Sequence, residues 1–400
     1  MLYRQRHADR ISHLMAVVCV LILALPALVQ AETVGRRIVM HGEVFVRYSY
    51  DLSYYRDSDP RSSSNDYNAF DLTRAELGLE GIATPGLVGR FLIEADRLSA
   101  IEADTDGDGD TETTRSPDYG RLELIFKNVL IDWRPSKFFG VRAGMIPSVY
   151  LPVAERAWSM RYVDRVAADR FGYFDPEADQ GLSLYGDFPG RLGDYEFQIT
   201  NAEGYKKEEK NRYKAGSGRL TVNGDMLAGS LGALSLTLAG RYAKVSDLPG
   251  PRHDHRTSAV ALLAWRGEFV FAGVSAVGRM WDYSSGRDPV MSRGGSVYAG
   301  WISPMRFGPF LRYDFRDPRV SNDHSSDSII SSRVGAEELP ADEDEDHTAW
   351  LGVFYRPTSR FDLAAYYRMR TFEEEYQTGS NAGDIIDAER QAHLSIRLKF

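Results

Sequence analysis

The chain has 400 residues, 43% of them hydrophobic and 12% aromatic, with a formal net charge of −9 and a mean hydropathy of −0.36. The acidic balance argues against a nucleic-acid partner, and a single cysteine, Cys19, excludes a disulfide framework. No apolar run between Glu32 and Phe400 reaches the roughly 20 residues of a membrane-spanning helix, yet such numbers suit a soluble β-protein and a membrane barrel equally, because only alternate residues of a barrel strand meet lipid.

The first residues have the layout of a secretion signal. Arg4, Arg6 and Arg10 form a basic start, residues 15–25 are apolar, and Val29-Gln30-Ala31 offers small residues before a cleavage point. Cleavage after Ala31 removes three basic side chains and one acidic one. It leaves 45 basic and 56 acidic residues, a net charge of −11. Cys19 goes with the signal, so residues 32–400 carry no thiol and no lipid-acceptor cysteine. They read as one domain.

From Arg37 onward the apolar pattern has period 2, which predicts strands. Val44, Val46, Tyr48 and Tyr50 alternate with Phe45, Arg47 and Ser49; Leu87, Phe91 and Ile93 oppose Arg90 and Glu94. Leu234, Leu236, Leu238 and Tyr242 oppose Arg241. Phe307, Leu311, Tyr313 and Phe315 oppose Arg306, Arg312, Asp314 and Arg316. Leu363, Ala365, Tyr367 and Met369 oppose Asp362, Arg368 and Arg370. Residues 268–278 are apolar on both phases and cannot be oriented. The last strand is the clearest: Leu394, Ile396, Leu398 and Phe400 alternate with His393, Ser395, Arg397 and Lys399.

The connections alternate in length. Short turns fall near residues 84–86, 135–136, 189–191, 223–229, 266–267, 304–305 and 356–358; longer polar ones surround 51–67, 98–118, 147–176, 202–211, 245–256, 283–293, 317–346 and 374–386. This predicts an all-β, transmembrane antiparallel barrel of sixteen strands with short periplasmic turns and long external loops. Boundary errors of about two to four residues also admit fourteen or eighteen strands. The 22 Tyr and 19 Phe suit aromatic girdles at the two membrane interfaces.

Two loops stand out. Asp104, Asp106 and Asp108, with Gly109 at the sixth position from Asp104, follow the start of a calcium loop, but Arg115 stands where the bidentate Glu belongs. This segment reads as a solvated acidic loop or a weak calcium site, and the acidic run 337–346 as solvated. The third long loop, 147–176, is semi-apolar. It mixes Arg156, Arg161, Arg165 and Arg170 with Glu155, Asp164, Asp169 and Asp175, and adds Trp158, Tyr162, Phe171, Tyr173 and Phe174. So many aromatics suit a loop folded against the inner wall, where opposing charges set selectivity. Arg156, Arg161, Asp164, Arg165, Asp169 and Arg170 are its expected constriction residues, on a short helix with its cations near one face.

This region carries a family resemblance. Val141-Arg142-Ala143-Gly144-Met145-Ile146-Pro147, then the loop, then Asp179-Gln180-Gly181-Leu182-Ser183-Leu184-Tyr185-Gly186 and Tyr195-Glu196-Phe197-Gln198-Ile199-Thr200-Asn201-Ala202-Glu203-Gly204 together resemble the central part of the phosphate-selective porin O and P family. The resemblance implies a sixteen-stranded, usually trimeric porin whose third loop folds into the lumen. Members that prefer phosphate line the pore with arginines and lysines. Here Arg241, Arg306, Arg312, Arg368, Arg370 and Arg397 fall on the lumenal phase with Lys399, but so do Glu94, Asp96, Glu123, Asp314 and Asp362. A mixed lumen suits passive diffusion of small hydrophilic solutes, with phosphate one among several and no cofactor. The rivals are a barrel that binds or adheres through its external loops, a soluble periplasmic β-protein, and an outer-membrane hydrolase. No Gly-x-Ser-x-Gly elbow supports the last, and it would need a Ser–His hydrogen bond on the barrel wall.

Overall fold

In the computed structural model the described residues are 38–52, 68–97, 101–103, 112–114, 122–174, 176–206, 212–224, 232–244, 255–282, 289–317, 346–377 and 385–400. The residues expected to form an export signal, the calcium candidate Asp104, Asp106 and Asp108, and acidic residues 337–345 lie outside them.

Three strands come first: β1 (Ile38–Asp51), β2 (Asn68–Thr84) and β3 (Leu87–Arg97). A separate two-stranded hairpin follows, β4 (Ile101–Ala103) and β5 (Glu112–Thr114). Next come β6 (Leu122–Ser136), β7 (Phe139–Pro147), β8 (Ala178–Asp187), β9 (Gly193–Thr200), β10 (Ala215–Asn223) and β11 (Ala233–Lys244). The chain ends with β12 (His255–Arg266), β13 (Val270–Asp282), β14 (Val290–Trp301), β15 (Phe307–Asp317), β16 (Asp346–Tyr355), β17 (Phe361–Gln377) and β18 (Ile385–Lys399). All but the β4–β5 hairpin form one closed antiparallel barrel of sixteen strands, as the loop asymmetry predicts. Closure leaves no unpaired strand edge, the condition for crossing lipid with strands.

The seam joins β1 to β18, from Glu43–Lys399 to Asp51–Gln391. Gly42 and Phe400 exchange both backbone hydrogen bonds, at 3.0 and 3.1 Å. Gly42 suits that position, because a Cβ would come within 2.8 Å of the Glu76 carbonyl oxygen as well as overlap the Phe400 ring. Outward positions are apolar and exposed, as Leu236, Leu238, Leu311, Leu351 and Leu398 show. Inward positions are polar and buried, among them Arg241, Arg312, Asp314, Asp362 and Ser395. Paired outward aromatics mark the two rims: Tyr48–Phe70, Tyr242–His255 and Tyr313–His347 on the long-loop side, Trp133–Phe139 and Phe188–Tyr195 on the short-turn side.

The strand that could not be oriented is now explained. On β13, Phe271, Val277 and Trp281 point inward and are buried, while Val274 faces outward. Its inner face is apolar because the third loop packs on it. Arg306 departs from the lumenal phase: it sits in the turn before β15 with φ 63°, exposed, and donates from Nη1 to the Pro357 carbonyl oxygen at 3.1 Å. The strand begins at Phe307, and the left-handed backbone of the turn at Arg306 breaks the period-2 alternation there.

Candidate functional site

The third loop leaves β7 at Pro147, crosses the lumen and returns at Ala178. Pro152 opens its first helix, α1 (Leu151–Trp158), where the missing N–H costs nothing. The helix stops at Ser159, left-handed at φ 58°, whose N–H donates to the Glu155 carbonyl at 2.7 Å. A second turn, α2 (Ala167–Arg170), follows. The cations therefore do not share one helix. Arg156 is on α1, Arg170 on α2, and Arg161 and Arg165 fall between them, because the chain reverses at Ser159.

The apolar side of the loop fills the lumen against β11 to β17. Tyr150, Trp158, Met160, Tyr162, Val163 and Phe174 are all 2% exposed or less and share one cluster with wall residues Phe271, Tyr298, Phe310, Trp350 and Phe354. Trp158 is its centre: its ring lies 4.9 Å from Tyr298, 6.2 Å from Phe310 and 6.4 Å from Phe271. Its Nε1–H donates to the Asp164 carbonyl at 3.1 Å, and the Arg312 guanidinium sits 5.0 Å from its ring.

Polar clasps hold the rest. Arg170 donates to Thr348 Oγ1 at 2.6 Å and pairs with Asp314 and Asp346 at 3.4 and 3.7 Å. The Tyr366 hydroxyl donates to the Val163 carbonyl at 2.9 Å, and Arg356 donates to the Ser159 carbonyl at 3.3 Å. At the base, Arg161 pairs with Glu155, Asp169 and Glu177 at 2.8, 3.4 and 3.6 Å. Lys127 on β6 continues the cluster to Glu76, Glu94 and Glu177, and Arg74 on β2 reaches Glu76, Glu155 and Glu43. A buried pair adds little net stability, because desolvation offsets the attraction, but losing one partner strands a buried charge.

The six expected constriction residues thus part company. Arg161 is engaged in the ion cluster, Arg170 is folded onto the wall, and Asp169 is buried, whereas Arg165 is 58% exposed and Arg156 also faces open space. Burial raises the Asp164 carboxyl, but Arg170, Arg312, Arg368 and Arg47 outweigh it and hold the group down at about 2. Arg241, Arg312, Asp314, Arg368, Arg370 and Arg397 all face the lumen. Lys127, Arg74 and Glu76 escaped the sequence reading, although Arg74 and Glu76, two apart on a strand, necessarily share a face.

Burial and the nearby Glu177 push Asp169 up to about 6, against the pull of Arg161 and Arg165. Glu177 is held below the usual carboxylate range: burial raises it, but Lys127, Arg161 and Arg74 prevail. Asp169 binds its proton more tightly folded than unfolded, so this group favours the seated loop increasingly as pH falls from about 6 toward 4, and opposes it above. We expect the reversal potential to shift toward anions between about pH 7.5 and pH 5 as this negative charge is lost. Asp169→Asn should show the low-pH preference at both; a wild-type potential that does not move would remove Asp169 from the filter.

Beneath the loop, on the short-turn side, lies a cavity of about 760 Å³. Nine cationic side chains line it: Arg90, Arg134, Arg142, Arg156, Arg161, Arg219, Arg356, Arg397 and Lys399. Against them stand five acids, Glu43, Glu155, Asp187, Asp194 and Glu196. Arg142 is stacked 3.8 Å from the Tyr185 ring centre and pairs with Asp132 and Glu196 at 3.2 and 2.9 Å.

The barrel is similar over nearly its whole length to solved structures. The anion-selective porin from Comamonas acidovorans aligns with a TM-score of 0.58 and 14% identity, covering 91% of this chain and 100% of that one. The fold is that of the outer-membrane porins. OmpT of Vibrio cholerae aligns at 0.57 with 10% identity, covering 91% and 98%, and Salmonella typhi OmpF at 0.57 with 10%, covering 92% and 98%. No protein-family model and no curated protein matches the sequence.

A Ser–His hydrogen bond does occur on the wall: Ser49 Oγ and His393 Nδ1 are 2.9 Å apart. It faces the lumen, His393 is 6% exposed, and its buried Nε2 has no hydrogen-bond partner among the described residues. A triad would use that second nitrogen to meet the serine or the orienting acid. The ring is instead packed on Tyr366, 4.8 Å away.

Proposed function

We propose that this chain is an outer-membrane porin through which small hydrophilic solutes diffuse passively, anions ahead of cations, with phosphate one solute among several. The observation that carries the reading is the cavity under the third loop, lined by nine cationic and five acidic side chains, with Asp132 and Asp362 paired behind Arg142, Arg356 and Arg397. Fixed charges around a narrow aqueous passage raise the local concentration of counter-ions and so bias what passes. The seated loop supplies the size limit, and the exposed Arg165 on it adds to the same sign of field. A homotrimer is the assembly we infer, by analogy with a trimer form of Vibrio cholerae OmpT.

The test is a reversal potential in a potassium chloride gradient across a planar bilayer. The sign of chloride preference supports the reading. A potassium preference would overturn its anion half while leaving the diffusion pore intact.

A further inference from the structure

The segment after β9 turns inward instead of continuing along its strand. Asn201 N–H donates to the Gln180 carbonyl and Tyr205 N–H to the Ala178 carbonyl, both at 3.0 Å. Residues 201–206 therefore lie against the start of β8, where the third loop ends. The reversal uses two left-handed residues, Ala202 at φ 82° and Gly204 at φ 85°. Gly204 packs on the loop's Pro176, whose Cβ would lie 2.8 Å from an added Cβ. Alanine disfavours that backbone and keeps it only where the surroundings fix it. Here Asp179, 5% exposed, accepts from the Ala202 N–H at 2.7 Å and from the Gln180 N–H at 2.8 Å. Arg241 on the lumenal wall donates to the Ala202 carbonyl at 3.5 Å.

Tyr205 carries the contact on to β3 and β6. Its hydroxyl donates to Glu94 at 2.7 Å, and its ring centre lies 5.9 Å from Lys127 Nζ. Lys127 is the extra residue of a bulge in β6, between the pairs Ile93–Phe126 and Leu92–Asn128, and a bulge re-aims a side chain. Its ammonium holds Glu76 at 3.1 Å, Glu94 at 3.2 Å and Glu177, the residue before β8. The Glu177 carbonyl accepts from the Ser148 N–H at 2.8 Å, which ties the exit of the third loop to its entrance. Tyr205, Glu94, Lys127 and Glu177 thus form one polar chain from the segment after β9 to both ends of the third loop. How often a loop opens is set by the few contacts that must break together.

We propose that residues 201–206 are a strap that keeps the third loop seated, with Tyr205 as its positioning residue, so that the segment after β9 regulates how steadily the passage conducts. The proposal rests on the pore reading above. The test compares wild type, Tyr205→Phe, Tyr205→Ala and Tyr313→Phe, folded in detergent, by amide hydrogen exchange of residues 151–170 and by single-channel recording. Tyr205→Phe keeps the ring beside Lys127 and loses only the hydroxyl. Tyr313→Phe loses a comparable contact, to His347 Nδ1 at 2.6 Å, on the outward face. Tyr205→Phe should exchange these loop amides about threefold to tenfold faster, the population shift that one lost hydrogen bond brings. It should switch between current levels more often by a similar factor, and Tyr205→Ala by at least as much. Tyr313→Phe should match wild type in both, since a general loss of stability does not single out the third loop. Wild-type exchange in Tyr205→Phe would overturn the strap, and faster exchange with unchanged switching would overturn its hold on the passage. A wild type whose loop is protected from exchange but which carries no current refutes the pore reading alone.

Discussion

Replacing Trp158 by alanine is expected to unseat the third loop and to raise the single-channel conductance while the barrel stays closed. Trp158 is 1% exposed, touches Phe271, Tyr298 and Phe310, and supplies an indole N–H to the Asp164 carbonyl and a ring face to Arg312. Truncating a buried tryptophan costs about 3–5 kcal/mol, made up of lost transfer energy and a cavity that the rigid wall cannot close. The eight residues of α1 are too few to hold a helix without packing, so the loss falls on the whole segment. The strands do not depend on it, because their hydrogen bonds run from neighbour to neighbour around the ring. The check is single-channel recording of Trp158→Ala beside Trp301→Ala, which removes an outward tryptophan 44% exposed. Larger, noisier steps are expected for the first and wild-type steps for the second. Identical steps in all three proteins would mean that the loop does not limit the pore.

The second large effect concerns selectivity. Gln at Arg134, Arg156 and Lys399 together should abolish most of the anion preference. Six cations would then face five acids around the cavity. These three are chosen because the buried Asp362 keeps both partners, Arg356 at 3.1 Å and Arg397. Removing those partners instead would leave an uncompensated buried carboxylate and confuse selectivity with stability. Arg134 pairs with a half-exposed Asp187 at 2.8 Å, so its loss exposes that acid to the passage and reinforces the shift. The expected result is a several-fold fall in chloride-over-potassium permeability with conductance little changed. An unaltered reversal potential would place the filter elsewhere.

What could be read from the sequence follows from period and composition. Strand phase was legible wherever one face met lipid and the other water, as along residues 393–400, and strand number followed from turn spacing. The folded-in loop was legible because Trp158, Tyr162 and Phe174 have no business in open water. Its consequence for the opposite wall was not: Phe271 and Val277 break the alternation because they face loop aromatics more than 100 residues away in sequence. Separation in sequence also hides the charge partners. Nothing near Arg170 announces Asp314 or Thr348, and nothing near Glu177 announces Lys127. The cations looked like one helical face because their spacing is four or five, and a single left-handed residue at Ser159 undoes that geometry. Yet one local signal went unused. Arg74 with Glu76, Arg312 with Asp314, and Asp346 with Thr348 are charged or polar pairs at spacing two within strands, and each is a same-face hydrogen bond in the structure.

The central claim is that a water-filled path passes the seated third loop. It is tested most directly by recording current across a planar bilayer after adding folded, heat-modifiable wild-type protein. Discrete conductance steps that grow with salt concentration are expected, as an aqueous passage requires. Folded protein that inserts and carries no current would contradict it.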